Sequence, residues 1–281
     1  MADITPVRRT WTDAAPGWRK WRNEFELQSR AATSLILERA QLTPGARVLD
    51  LASGTGQPAA SIAQAVGPHG HVFATDFVPE MLLGARDLVR STGLQNLTLL
   101  AADAGALPFR ESSFDCVTCR FGLMFFPDAQ RALEGIHAVL RAGGHAVFAV
   151  WATGAGNDFH ATTTGVVERF VAPDPSAGST TDVFKFDTPG TLSTVLEQAG
   201  FRAVEERRQE IPWPWTGSLE DFWDFNLEFR MAFRKLFNSL PVEVRDTAKQ
   251  AVFAELARYC DGARINLSGQ VIVGSACGSE F

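Results

Sequence analysis

An α/β fold, with a doubly wound and mostly parallel sheet, is predicted by three observations in this 281-residue chain. Short apolar runs alternate with helix-patterned segments between residues 46 and 150. The first run, Arg47-Val48-Leu49-Asp50-Leu51, passes through Ala52-Ser53-Gly54-Thr55-Gly56 into Gln57-Pro58-Ala59-Ala60. That order reads as strand, tight turn and helix, and its glycines let a ligand approach the backbone. The runs are also almost uninterrupted by polar residues, as in parallel strands covered by helices on both faces. Such sheets bind ligands beyond the carboxyl ends of their strands.

Residues 1–45 precede the first strand. Within them Trp11, Trp18, Trp21 and Phe25 recur at three, four and seven residues, so that most can share one helix face, and 34–40 continues the apolar pattern. This N-terminal helical cap either packs on the sheet or serves as a lid over an aromatic pocket. A turn at Leu42-Thr43-Pro44-Gly45 leads into strand 46–51, helix 57–66, strand 71–75, helix 79–91 opened by Pro79, and strand 97–101. The fourth strand and its following loop occupy 113–121, and the fifth strand, 145–150, ends at Trp151.

There the rhythm breaks. Residues 152–160 read as loop, 163–171 as helix, and the Pro/Ser/Gly/Thr-rich 173–181 as a mobile surface loop. A helix over 188–200, capped by Thr188 and stopped by Gly200, precedes strand 201–211. After Pro212-Trp213-Pro214-Trp215 come amphipathic helices over 219–237 and 242–259 and a last strand within 264–275. The domain plan is a cap (1–45), a ligand-binding core (46–151), an insertion (152–187), and the remainder of the sheet (188–277) with a helical insertion at 216–262. Residues 278–281 read as a vector-derived tail.

Composition narrows the function. A formal net charge of −6, with no Lys/Arg cluster, offers no field for a phosphate backbone, so nucleic acid is not an expected partner. Hydrophobic residues make up 46% of the chain, enough for a sizeable core, yet no run approaches membrane length and the start lacks a secretory pattern. A cytoplasmic protein is expected. Four cysteines make no disulfide framework, and Cys116 and Cys119 fall on a strand where an offset of three points them to opposite faces, so no metal site is expected.

Asp50 at the mouth of the turn would repel a pyrophosphate. A ligand with an ammonium beside a carboxylate suits it, the amine near Asp50 and the carboxylate at the helix N-terminus. S-adenosylmethionine has that shape. The series Asp50-Leu51-Ala52-Ser53-Gly54-Thr55-Gly56, Ala74-Thr75-Asp76 with Met81-Leu82, Ala102-Asp103-Ala104 and Ser113-Phe114-Asp115 resembles the motifs of class I S-adenosylmethionine-dependent methyltransferases. Residues 120–128 with Ala132-Leu133 and 140–144 are similar to the ubiquinone and menaquinone C-methyltransferase branch and its small-molecule relatives.

The resemblance implies a Rossmann-like, seven-stranded sheet with an antiparallel last strand and S-adenosyl-L-methionine as cofactor. It implies that Asp76 takes the ribose hydroxyls, that Phe77, Val78 and Met81 pack the adenine, and that Asp103 and the Ala104 amide meet the adenine edge. Asp50, Ala52, Gly54, Thr55, Gly56 and Gln57 are assigned to the same ligand, with Arg120 and Phe121 at the transfer site. Asp115, at the opposite end of its strand, is assigned to structure. The branch often carries paired histidines where this chain has Met124 and Phe125, so an acceptor with an apolar body is expected. Trp18, Trp21, Met124, Phe125, Phe159, Trp213 and Trp215 are the candidates for its pocket.

Methyl transfer from a sulfonium depends chiefly on positioning and exclusion of water. If a base is used, His160 is the histidine that follows the carboxyl end of a strand, with Asp158 beside it. The expected activity is therefore methylation, at O or C, of a small, partly apolar or aromatic metabolite. Two alternatives stand beside it: a nicotinamide oxidoreductase, because Gly54-x-Gly56-x-x-Ala59 fits the loose dinucleotide pattern, and a catalytically silent binding module.

Overall fold

A computed structural model describes residues 5–171 and 183–278. The surface loop predicted at 173–181 lies outside the described residues. Two helices open the chain, α1 (Thr5–Lys20) and α2 (Arg22–Arg39). They are separate because the chain turns at Trp21, with Trp11 and Trp18 on α1 and Phe25 on α2. The core then alternates β1 (Arg47–Leu51), α3 (Ala59–Val66), β2 (His71–Asp76), α4 (Met81–Thr92), β3 (Leu97–Ala101), β4 (Phe114–Arg120), α5 (Ala129–Val139) and β5 (Leu140–Trp151). Short helices α6 (Asp158–Ala161) and α7 (Thr164–Val167) follow, then α8 (Thr191–Gln198) and the long strand β6 (Arg202–Thr216). Helices α9 (Leu219–Phe229), α10 (Met231–Ser239) and α11 (Val242–Leu256), the two-residue β7 (Cys260–Asp261) and β8 (Arg264–Cys277) complete the order.

The sheet runs β3-β2-β1-β4-β5-β8-β6, with β7 hydrogen-bonded to β8. Pairs among β1 to β5 are parallel, and β8 is antiparallel to both β5 and β6. Seven strands on this path with the last one reversed is the predicted arrangement. Its order reverses beside β1, where β2 lies on one side and β4 on the other, and that is where such sheets leave a ligand crevice.

Val48, Leu49, Val117, Val147 and Phe148 are fully buried at the sheet centre, covered by Ile62 and Val66 of α3 and by Leu133 and Ile136 of α5. Each such side chain contributes about 1.5–3 kcal/mol by leaving water, which fixes the strand ends that present the site. Asp115 lies at the other end, its Oδ2 accepting the Arg47 amide at 2.7 Å and its Oδ1 pairing with Arg141 at 2.6 Å. Cys116 and Cys119 are both buried, and burial pushes the Cys119 thiol up to about 12. Among the described residues no helix is long and apolar enough to cross a membrane.

Local readings needed correction at several places, four of which have a clear local cause. Helix α4 begins at Met81 rather than Pro79, because the Val78 amide is committed to Asp76 and the chain turns first. Gly190, in the left-handed region at φ 83°, precedes α8 where Thr188 was expected. Strand β6 does not stop at Ile211 but continues through Pro212 and Pro214, with Trp213 opposite Leu267. It is the sheet's edge strand, where a missing amide hydrogen is tolerated. The long helix predicted over 219–237 breaks at Arg230, whose ψ of 95° is far from helical.

Candidate functional site

The loop after β1 is shaped by its own hydrogen bonds. The Ser53 amide donates to Thr75 O at 2.9 Å and the Ser53 hydroxyl to Asp50 O at 2.8 Å, while the Gly56 amide turns back to Ser53 O. Ala52, Gly54 and Gly56 all have positive φ, at 50°, 53° and 105°. Only at Gly56 does packing add a demand: a Cβ there would meet Ala85 Cα and Leu88 Cδ2 at 3.1 Å. Gly56 therefore serves the approach of α4, and it is not among the residues of the cavity wall.

Asp76 ends β2 and ties two loops together. Its Oδ2 accepts the Gly54 amide at 3.0 Å and its Oδ1 the Val78 amide at 2.9 Å. Burial pushes its pKa up to about 6 against the lowering effect of those amides. The carboxylate borders the cavity with lone pairs still available to hydroxyl donors. Asp103 also faces the cavity; its Oδ1 accepts the Gly105 amide at 2.9 Å, so it caps its own turn while presenting the remaining oxygen.

Asp50 behaves differently. It is fully buried between β2 and β4, with Thr118 Oγ1 donating to its Oδ1 at 2.6 Å and no partner for Oδ2 among the described residues. Desolvation raises its pKa to about 6, offset in part by the Thr118 bond. Ala52 and Ser53, not Asp50, form the cavity wall here, with Asp50 close enough behind them to feel the charge of Asp76.

One cavity, about 1400 Å³ with its open mouth included, lies beyond the carboxyl ends of β1, β2 and β4. One side is walled by the predicted Ala52, Gly54, Thr55 and Gln57, by Asp76, Phe77 and Met81, and by Asp103 and Ala104. The other is aromatic: Trp11 and Trp18 from α1, Phe25 from α2, and Phe121, Phe125 and Phe126 after β4. Trp11 meets Phe125 edge-on at 4.9 Å, and Trp18 lies 5.0 Å from Phe25.

Phe121 has φ 58°, unusual for a bulky residue, and is held there by its amide bond to Ala149 O and by stacking on Trp151 at 4.3 Å. The adjoining Gly122 leaves no room for a side chain: a Cβ would lie 2.5 Å from Ala52 Cβ. Arg120 lines the cavity beside them. Its Nη1 donates to Glu26 at 3.2 Å, Ser29 at 2.9 Å and Thr33 at 2.5 Å, and its Nη2 to Gln57 O at 2.9 Å, bolting α2 to the loop before α3.

Of the predicted acceptor pocket, Trp18 and Phe125 are in the wall and five residues are not. Met124 is buried behind it. Phe159 and Trp213 pack with Trp151 as a second aromatic layer behind Phe121. Trp21 and Trp215 meet each other and Phe225, the Trp21 Nε1 donating to Glu228 at 2.8 Å. His160 is also outside the wall: it packs edge-on to Phe184, and burial, then Arg230, lowers its pKa to about 4. Asp158 is spent on Ser268 and Tyr259. Among the wall residues not assigned to the site from sequence, Phe126, Pro127, Asp128, Arg131 and Ala132 lie in and after the β4 to α5 connection. Their signal was the position of that loop beyond a strand's carboxyl end.

A sequence model of the ubiE/COQ5 methyltransferase family matches residues 26–153. The demethylmenaquinone methyltransferase of Geobacillus kaustophilus is 39% identical over 112 residues, which are 40% of this chain and 48% of that protein. The arsenite methyltransferase of Halobacterium salinarum is 32% identical over 166 residues, 59% of this chain and 40% of that one. The chain thus spans about half or less of the length of these curated relatives. Among solved structures, Haemonchus contortus phosphoethanolamine N-methyltransferase 2 in complex with S-adenosyl-L-methionine superposes with a TM-score of 0.53, at 18% identity, over 89% of this chain and 53% of that one. Trp11, Trp18 and Phe25 all precede the matched segment. Over residues 26–153 this chain carries the sequence pattern of the ubiE/COQ5 methyltransferase family, set on the fold of class I S-adenosylmethionine-dependent methyltransferases.

Proposed function

We propose that this protein transfers the methyl group of S-adenosyl-L-methionine to a small molecule with an apolar or aromatic body, at oxygen or carbon. The observation that carries the reading is the two-sided cavity, with acids and loop amides on one side and six aromatic rings on the other. The residues present fit the cofactor. Asp76 and Asp103 each keep acceptor capacity toward the cavity, as hydroxyl and amino donors require, and Phe77 and Met81 supply an apolar wall for a purine. When bound, the cofactor supplies an electrophilic methyl on a cationic sulfur.

The chain's own part is orientation and dehydration. Trp11, Trp18, Phe25 and Phe121 surround the acceptor side and keep water from it. Among the described residues, the titratable groups on the wall are Asp76, Asp103, Arg120, Asp128 and Arg131, with no histidine, lysine, tyrosine or cysteine. Transfer therefore relies on an acceptor atom that is ionised or electron-rich by its own chemistry, as in a phenolate or enolate. Arsenite does not suit the cavity, because soft arsenic chemistry calls for thiolates and none of the four cysteines lines it.

Calorimetric titration with adenosylhomocysteine, followed by incubation with methyl-labelled S-adenosylmethionine and a panel of phenols and enols, tests the reading. Micromolar binding of adenosylhomocysteine and label in an apolar aromatic product are expected. Preference for NADH over adenosylhomocysteine would instead favour an oxidoreductase and overturn it.

A further inference from the structure

The guanidinium of Arg120 is the cavity's cation nearest the cofactor loop, and its donors are not all used. Its side chain is 5% exposed. Nη1 is shared among Glu26, Ser29 and Thr33 and one Nη2 hydrogen goes to Gln57 O, but Nε donates to none of the described residues. The five guanidinium hydrogens form a fixed fork suited to a planar carboxylate, and the side chain lines the cavity, where the donors left over can meet one. Arg131, the other cation of the wall among the described residues, is exposed in α5. The loop side therefore has one cation, fixed in place by α2 and by the carbonyl of Gln57.

We propose that Arg120 holds the α-carboxylate of the cofactor's amino-acid end and thereby selects cofactors that carry it. This rests on the methyltransferase reading and deepens it: adenosine is held from the Asp76 and Asp103 side, the carboxylate from the Arg120 side. Glu26 already draws on the same cation at 3.2 Å, and the Asp50 carboxylate acts on it through space, so an arriving carboxylate competes with Glu26. Arg120 is then a binding and specificity residue, while its bonds to α2 keep Phe25 on the aromatic side.

The experiment compares adenosylhomocysteine with 5′-methylthioadenosine, which has the same nucleoside and sulfur but no amino-acid end. Calorimetry or quenching of tryptophan fluorescence gives both dissociation constants for the wild type and for Arg120→Gln, Arg120→Lys and Glu26→Gln. Losing a charge-assisted bond weakens adenosylhomocysteine about 10- to 100-fold in Arg120→Gln, with methylthioadenosine within about threefold. Arg120→Lys falls between, and Glu26→Gln, which removes the competitor, strengthens adenosylhomocysteine relative to methylthioadenosine. Equal weakening of both ligands by Arg120→Gln, or an unchanged ratio in all three variants, overturns the proposal while leaving the methyltransferase reading in place. Wild type binding neither ligand overturns the reading and the proposal together. If Arg120→Gln fails to fold, the Glu26→Gln ratio decides: no gain for adenosylhomocysteine refutes the carboxylate role.

Discussion

Replacing Gly17 by alanine would normally strengthen a helix by about 1 kcal/mol, and here the opposite is expected. Gly17 lies in α1 where that helix crosses α9, and an added Cβ would stand 2.3 Å from the Glu228 carbonyl oxygen and 2.8 Å from its carbon. The obstruction is backbone, so no rotamer relieves it, and the helices must part by about 1 Å to restore ordinary contact. The contacts at this crossing do not survive such a shift intact: Trp18 stacks on Phe229 at 3.9 Å and donates from Nε1 to its carbonyl at 3.2 Å, and Lys20 pairs with Glu228 at 2.8 Å. Overpacking of this kind costs about 1–3 kcal/mol, and the lost stack and hydrogen bond put it at the upper end. Net of helix propensity, Gly17→Ala should destabilise the seating of α1 by about 2 kcal/mol. Hydrogen exchange of the α1 amides is the direct assay, because detachment of one helix opens it below the global unfolding energy. Protection across α1 should fall by about 30-fold, and adenosylhomocysteine should bind more weakly because Trp11 and Trp18 leave the cavity wall. A variant with α1 protection equal to or above wild type would refute the packing argument.

Asp76→Ala removes the acceptor shared by the Gly54 and Val78 amides as well as the wall carboxylate, so adenosylhomocysteine affinity should drop about 10- to 100-fold in a titration; no change would remove Asp76 from the site. For Asp50 the sign follows from burial: its pKa rises from 3.8 to about 6, so the native state binds the proton more tightly than the unfolded chain, and the cost of the buried charge grows as pH rises through 6. Between pH 5 and pH 8 that cost increases by about 1.4 kcal/mol, and melting curves should show Asp50→Asn gaining on wild type by that amount over the same interval. A pH-independent difference would contradict it. His160→Gln should keep turnover within about twofold, because the ring lies outside the cavity wall, whereas loss of a general base costs about 100-fold or more. The same variant tests the lowered His160 pKa, whose stabilising effect is present above 6.5 and lost as pH falls toward 4: wild type should lose more stability than His160→Gln across that window.

What the sequence by itself determined was what short-range spacing encodes. The alternation of apolar runs and amphipathic segments places five strands and their helices in order, and the glycine turn after Asp50 with Asp76 and Asp103 at the next two strand ends follows from chain order alone. A parallel sheet must present those ends on one side, so a ligand loop there needs no long-range knowledge. Even Asp115 was legible, because it begins a strand whose far end meets the cavity.

Only the tertiary structure decided which side chains face the ligand. Asp50 lies one residue before the end of β1 and Asp76 ends β2, yet one is sealed between β2 and β4 while the other opens to the cavity. Trp18 and Trp21 are three residues apart, but the break at Trp21 sends one to the cavity and the other to Trp215. Trp213 and Phe159 have the composition of a pocket and serve as backing for Phe121. Aromatic residues gain similar free energy in a core or in a wall, and only contacts between residues as distant as Arg120 and Ser29, or Trp18 and Phe229, separate the two.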